Sequence, residues 1–164
     1  TVRQNVEVAH TSGLRDRPEL SRKIDVKALL QQFDLTRFAD WKAGSLPYGS
    51  QRRLEIARAL ALAPAFLLLD EPAAGMNAGE TTALITAVRH ASEKFGCGVI
   101  VIDHDLRFIM TLCNRIFVLD AGKIIATGTP DEVTKNPRVI EVYIGHSKKT
   151  KTKSTEEKND ARTA

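Results

Sequence analysis

The spacing of apolar and polar positions divides the chain at Gly49. Before it the pattern is helical or irregular. Val2 to Ala9 predicts a short helix, and Arg15 to Glu19 a polar, proline-containing loop. Val26, Leu29, Leu30 and Phe33 share one face of an amphipathic helix over Ile24 to Phe33. From Gly49 onward the pattern becomes regular. Ser50 to Leu62 predicts a helix with Leu54, Ala57 and Ala61 on one face, ended by Pro64. Phe66 to Leu69 is a continuous apolar run of strand length, as expected of a strand buried on both faces. In Glu80 to Phe95, the apolar residues Leu84, Val88, Ala91 and Phe95 recur at steps of four, three and four, which predicts a helix packed on a sheet. Gly96 to Gly98 stop it, and Val99 to Ile102, rich in β-branched residues, predicts a second buried strand. Strand, helix, strand in this order implies a right-handed crossover and a parallel sheet, so the fold class is α/β.

The remainder reads as smaller elements. Leu106 to Leu112 predicts a short helix. Arg115 to Leu119 and Lys123 to Ala126 flank Asp120-Ala121-Gly122, a hairpin signal. Pro130 to Thr134 starts a helix with Thr129 as N-cap and Asp131 and Glu132 in its first turn. Val139, Ile140, Tyr143 and Ile144 form an apolar stripe on a last helix, stopped by Gly145. There is no internal repeat.

Composition adds bounds. With 164 residues and 43% hydrophobic content the chain suits one domain with an ordinary core. No apolar run approaches the roughly 18–20 residues that span a bilayer. The start, TVRQNVEVAH, lacks the basic beginning and apolar centre of a signal peptide. It also lacks an initiator Met, which points to a piece of a longer protein. The net charge of +4 is concentrated in the tail, His146 to Ala164, which carries six of the 24 basic residues and three of the 20 acidic ones. That tail has no aromatic or branched aliphatic residue and is expected to be disordered and solvated rather than a nucleic-acid site. Cys97 and Cys113 do not fall at metal-ligand spacing and read as reduced thiols of a cytosolic protein.

Three segments carry candidate chemistry. Phe66 to Leu69 is followed by Asp70 and Glu71, which places both carboxylates at the carboxyl edge of a parallel sheet, where open α/β sheets put ligands. An Asp there can hold Mg²⁺, and a neighbouring Glu can polarise a water; a solvated acidic turn is the alternative. Gly49 opens a helix whose N-terminal amides suit an anion. Gly44 to Gly49 fits only the first part of a P-loop, because Ser50-Gln51 stands where Lys-Ser/Thr is required and no strand precedes it. His104 follows the second strand and is expected at the same edge as Asp70 and Glu71, where it can hydrogen-bond a phosphate. A surface histidine or a His-Asp metal pair are the alternatives, though His10, His90 and His146 do not complete a metal set.

In this order the segments resemble the C-terminal two-thirds of an ATP-binding-cassette (ABC) ATPase, a partial P-loop NTPase fold. Leu46-Pro47-Tyr48-Gly49-Ser50-Gln51 resembles the family's signature motif, and Phe66 to Glu71 its Walker B strand with the catalytic glutamate. Ala73-Ala74-Gly75-Met76-Asn77 stands at the D-loop position and His104 at that of the switch histidine. "DEPAAGMN" and the ending "GTPDEVTKNPRVIEVYIG" resemble the ATPase subunits of bacterial branched-chain amino-acid importers. The resemblance implies ATP and Mg²⁺ as cofactors, with Glu71 as general base, His104 on the γ-phosphate and Asp70 on a Mg²⁺-bound water. It implies that Leu46, Tyr48, Gly49, Ser50 and Gln51 face the ATP of a partner subunit, and that Gly75, Met76 and Asn77 of the D-loop also belong to the nucleotide-binding set. A second ATPase subunit, membrane permeases and, indirectly, a periplasmic binding protein are the implied partners, at the cytoplasmic face of the membrane, with no nucleic acid. Residues 1–48 would be part of a helical subdomain, 49–145 the C-terminal part of the ATPase core and 146–164 the tail. Two departures bear on the site: Pro47 stands where the family's usual Ser would offer a hydroxyl, and Ser50 where Gln is common. The family's Walker A, adenine-stacking aromatic and Q-loop have no counterpart in these residues, so the chain as given is expected not to hold or turn over ATP alone. The rival readings are a non-transport ABC ATPase of DNA repair or translation, and an inactive interaction module.

Overall fold

The computed structural model describes residues 1–142. They fall into two compact units, one formed by Thr1–Leu112 and the other beginning at Cys113. The first unit contains α1 (Val2–Asp16), α2 (Pro18–Ser21), α3 (Val26–Gln32), 3₁₀ turns at Thr36–Phe38 and Ala43–Ser45, α4 (Tyr48–Ala61), β1 (Phe66–Asp70), α5 (Ala78–Phe95), β2 (Gly98–Ile102) and α6 (Leu106–Leu112).

Helix α1 starts at a reciprocal cap. The Thr1 hydroxyl accepts from the Gln4 amide, and the Gln4 side chain accepts from the Thr1 amine. It runs well past Ala9, where the sequence pattern ends it, and takes in part of the expected Arg15–Glu19 loop. Thr11 and Ser12 are accommodated because their hydroxyls turn back to the carbonyls of Glu7 and Val8. Val2 and Val6 are fully buried where α1 meets α3 and α4. The proline of the expected loop becomes the first residue of α2, where its missing N–H costs nothing. Helix α3 is shorter than the Ile24–Phe33 pattern, because Asp25 caps its start by accepting from Lys27 N–H; Ile24 and Phe33 are still buried. The core of this unit combines these residues with Leu29, Leu30 and Leu35, Leu60 of α4, Leu84 and Val88 of α5, and Phe108 of α6.

Strands β1 and β2 pair in parallel, from Phe66 opposite Gly98 to Asp70 opposite Ile102. The ladder runs one step further, with Glu71 N–H donating to Ile102 O at 2.8 Å. Here one expectation is corrected. The strands are not buried on both faces: Leu67 and Leu69 are buried, whereas Phe66 is 63% and Leu68 71% exposed, with Ile100 and Ile102 exposed beside them. A two-stranded sheet alternates inside and outside with period two, and the described residues cover only one of its faces.

Helix α5 begins at Asn77, whose side chain accepts from the Glu80 amide at 3.0 Å while the Glu80 carboxylate accepts from the Asn77 amide at 3.1 Å. It ends at Gly96 in the left-handed conformation.

In the second unit, β3 (Ile116–Asp120) and β4 (Lys123–Gly128) pair antiparallel around Ala121 and Gly122, at φ +46° and +76°. Positive φ at both central residues gives the type I′ geometry that matches strand twist. Helix α7 (Pro130–Thr134) carries the expected Thr129 cap, reciprocated by Glu132. Residues 137–142 are helical, and Val139 is buried while Ile140 is largely exposed. Tyr143, Ile144, Gly145 and the basic tail lie outside the described residues. No helix among the described residues is long and apolar enough to cross a membrane.

Candidate functional site

The parallel pairing of β1 and β2 brings their carboxyl ends side by side. Asp70 ends β1 and is exposed, and Glu71 follows it. The β2–α6 connection carries Asp103, His104 and Asp105. The His104 ring and the Glu71 carboxylate meet: Nδ1 lies 3.2 Å from Oε1. An ionised carboxylate only accepts, so Nδ1 carries the proton that bridges them, and Nε2 sits on the opposite edge of the ring. Both side chains remain open, His104 at 80% and Glu71 at 54% exposure. Glu71 has φ +43°, in the left-handed region that disfavours a branched or long side chain. Such strain is held in place by surrounding structure and recurs at functional sites. Here the Glu71 amide is tied to Ile102, and the backbone turns sharply enough to present the carboxylate to His104.

Asp103 enters the sequence pattern only as a neighbour of His104, in the alternative of a His-Asp pair. Its side chain is only 4% exposed and its Oδ1 accepts from Asp105 N–H at 2.9 Å, 3.7 Å from His104 Nδ1. Its Oδ2 is buried without a hydrogen-bond partner. Asp105 in turn accepts from the amides of Arg107 and Phe108, which caps α6. The loop bearing His104 is thus pinned at both ends. The only signal in sequence was an acidic residue on either side of a histidine, and burial could not be read from it.

The start of α4 is arranged differently from the sequence picture. Pro47 occupies the cap position and makes no side-chain cap, so this end of the helix lacks the usual hydroxyl or carboxamide acceptor. The amides of Ser50 and Gln51 both donate to Pro47 O, at 2.9 and 3.0 Å. Tyr48 and Gly49 carry the first amides of the helix, which have no acceptor one turn back. Leu46 is buried, and its carbonyl accepts from Gln51 Nε2 at 2.8 Å. Ser50 is also buried, its hydroxyl accepting from Arg53 Nη2 at 2.9 Å. Gly75 and Asn77 are exposed in the β1–α5 connection, and Met76 is half-buried there.

The parallel register therefore brings an acid–imidazole pair and a further carboxylate residue, Asp70, to one edge of the sheet. Among the described residues no cluster of three or more His, Cys, Asp or Glu is set for direct metal coordination. A single exposed carboxylate fits Mg²⁺, which keeps most of its waters and takes further ligands from phosphates.

This parallel pair with its edge carboxylates belongs to a known architecture. The chain superimposes on the ADP conformation of MJ1267, described as an ATP-binding cassette of an ABC transporter, with a TM-score of 0.65 and 30% identity, over 77% of this chain and 50% of that one. Residues 1–74 match the family model described as ABC transporter, and residues 123–149 the one described as branched-chain amino acid ATP-binding cassette transporter. The chain belongs to the ATP-binding-cassette transporter family. Within it, the chain is 42% identical to the high-affinity branched-chain amino acid transport ATP-binding protein BraF of Pseudomonas aeruginosa, over 72% of this chain and 46% of BraF. It is 37% identical to the corresponding LivG of Salmonella typhimurium, over 88% of this chain and 58% of LivG. The chain thus spans about half the length of the curated relatives it matches.

Proposed function

We propose that the chain is part of an ATP-hydrolysing subunit that powers uptake of branched-chain amino acids. The observation that carries this reading is the 3.2 Å contact between Glu71 and His104 beside Asp70, at the carboxyl edge of β1 and β2. In the proposed mechanism Glu71 takes the proton of the attacking water, and His104, with a proton on each ring nitrogen, holds Glu71 in place through Nδ1–H and donates from Nε2–H to the terminal phosphate. Asp70 would hold Mg²⁺ through water; when bound, that ion neutralises charge on the phosphate oxygens. The amides of Tyr48 and Gly49, at the positive end of α4, are the donors toward the phosphate of an ATP held by a second ATPase subunit. Leu46, Ser50 and Gln51 act by holding that turn, and Gly75, Met76 and Asn77 line the same nucleotide. Residues 1–48 serve as part of a helical subdomain and 49–145 as part of the ATPase core. The partners are permease subunits and, through them, a periplasmic binding protein, with the ATPase peripheral at the cytoplasmic face of the membrane and no nucleic acid involved.

Disruption of the coding sequence tests this in cells. High-affinity, energy-dependent uptake of radiolabelled leucine, isoleucine and valine should fall, and return with the intact gene but not with one encoding Glu71→Gln. Unaltered uptake of all three after disruption would refute the substrate assignment.

A further inference from the structure

Two segments of the first unit, the start of α4 and the stretch that runs from the β1–α5 connection into the first turn of α5, meet through a reciprocal fit. Each supplies a glycine that receives a side chain from the other. Gly49 is buried, and a Cβ at this position would stand 3.1 Å from Glu80 Oε1 and 3.4 Å from its Cδ. Gly75 has φ +72°, and a Cβ there would stand 3.1 and 3.3 Å from Cε1 and Cδ1 of Tyr48. Any larger residue at either position would force its neighbour to move.

The two received side chains are themselves held. Glu80 Oε2 accepts from Asn77 N–H at 3.1 Å, so the carboxylate that touches Gly49 also closes the cap of α5. The Tyr48 hydroxyl accepts from Arg52 Nε at 3.1 Å, and Arg52 pairs with Glu55 at 3.0 Å. The charges agree with the packing. A carboxylate beside the first turn of α4 faces the positive end of the helix, and no side chain caps that end.

We infer that these contacts form a reciprocal lock, with Glu80 as its positioning residue, that makes the Tyr48–Gln51 turn and the Ala73–Asn77 loop move as one body. Its role rests on the nucleotide reading above, in which both segments face the same ATP. A loop anchored only at its own ends samples many positions. One whose capping carboxylate is wedged against a neighbouring helix takes that helix's first turn with it. Glycine at 49 is then required by the approach of Glu80 from within the subunit, in addition to any approach by a ligand.

The test uses the full chain. It has two tyrosines, so Tyr143→Phe leaves Tyr48 as the single 3-fluorotyrosine signal in ¹⁹F NMR. Glu80→Ala should shift and broaden that signal and speed amide exchange at Tyr48 to Gln51 on the order of tenfold. Glu80→Gln should restore both, because glutamine closes the same capping box. Glu93→Ala, which removes an exposed carboxylate elsewhere on α5, should change neither. A Tyr48 signal and exchange rates unmoved by Glu80→Ala overturn the lock, whatever the protein does. Gly49→Ala supplies a second reading: it should disturb the Tyr48 signal less when Glu80→Ala has already made room, and an equal disturbance in both backgrounds overturns the wedge. If the lock signals respond while ATP hydrolysis by the assembled transporter ignores Glu80→Ala, the lock stands and the nucleotide reading of the two segments falls.

Discussion

Glu71→Gln separates chemistry from architecture at this site. Glutamine has nearly the same shape, and its Oε1 still accepts from His104 Nδ1–H. The contact it replaces spans 3.2 Å between side chains that are 54% and 80% exposed. An exposed pair of this kind contributes about 0–1 kcal/mol to stability, so the substitution should move the unfolding free energy by less than about 1 kcal/mol. The general base it removes is worth about 10²–10⁴-fold in rate. At 1.36 kcal/mol per factor of ten, that is about 3–5 kcal/mol of barrier. The catalytic loss therefore exceeds the structural one several-fold, and the two can be measured apart. Single-turnover hydrolysis of ATP by the assembled transporter should fall by the larger factor, while urea denaturation of the variant stays near wild type. Hydrolysis at the wild-type rate would remove Glu71 from the mechanism. Lost hydrolysis accompanied by several kcal/mol of destabilisation would show that Glu71 holds the fold rather than the water.

The other expectations concern the fold around the site. Leu84→Ala, at a position with no exposed surface in α5, should cost about 2–5 kcal/mol in urea denaturation; Ile124→Ala, on an exposed strand position of the second unit, should stay within about 0.5 kcal/mol. Arg53 is nearly buried, donates to Ser50 Oγ, lies 3.8 Å from the exposed Asp34, and has a buried Nε with no partner. Its charge-assisted bond gains about 1.5–3 kcal/mol and its orphaned donor costs about 1–3 kcal/mol. Arg53→Met should therefore be close to neutral, and Arg53→Ala should cost about 2–5 kcal/mol through the void it leaves; a large loss in the methionine variant would show that the Asp34 pairing matters more than its exposure implies. The cap of α7 should be pH-sensitive. Hydrogen bonds from the Thr129 amide and hydroxyl hold the Glu132 carboxyl below the usual glutamate range. Its contribution is therefore present above the unfolded-chain value and is lost as pH falls through the lowered folded value. Protection of the Asp131–Thr134 amides, relative to the unfolded chain at the same pH, should fall below the ordinary glutamate range and show no such step in Glu132→Gln.

Much of the candidate site is legible in the sequence because it is built from short-range order. The strand-then-Asp-Glu pattern and the strand-then-His pattern each fix a residue at a strand end. Parallel pairing of the strands then follows from the single helix between them. The cap of α7 was equally local, needing only Thr129 and a carboxylate three residues on. The full extent of α1 is not visible in the apolar pattern, because the polar Thr11 and Ser12 that continue it satisfy their hydroxyls on carbonyls within the helix.

Element order, the α/β class and the placing of two carboxylates and an imidazole at the edge of the sheet are local properties, since periodicity, capping and strand length depend on neighbours within a few residues. Which face of β1 and β2 the described residues cover is a matter of three-dimensional packing. Packing also decides that Ser50 and Arg53 turn inward, that Asp103 is buried behind His104, and that Glu80 and Tyr48 fit against Gly49 and Gly75. Burial and close approach are properties of pairs distant along the chain. Hydrophobic pattern specifies how much surface a segment can bury, but the partner that buries it is chosen in three dimensions.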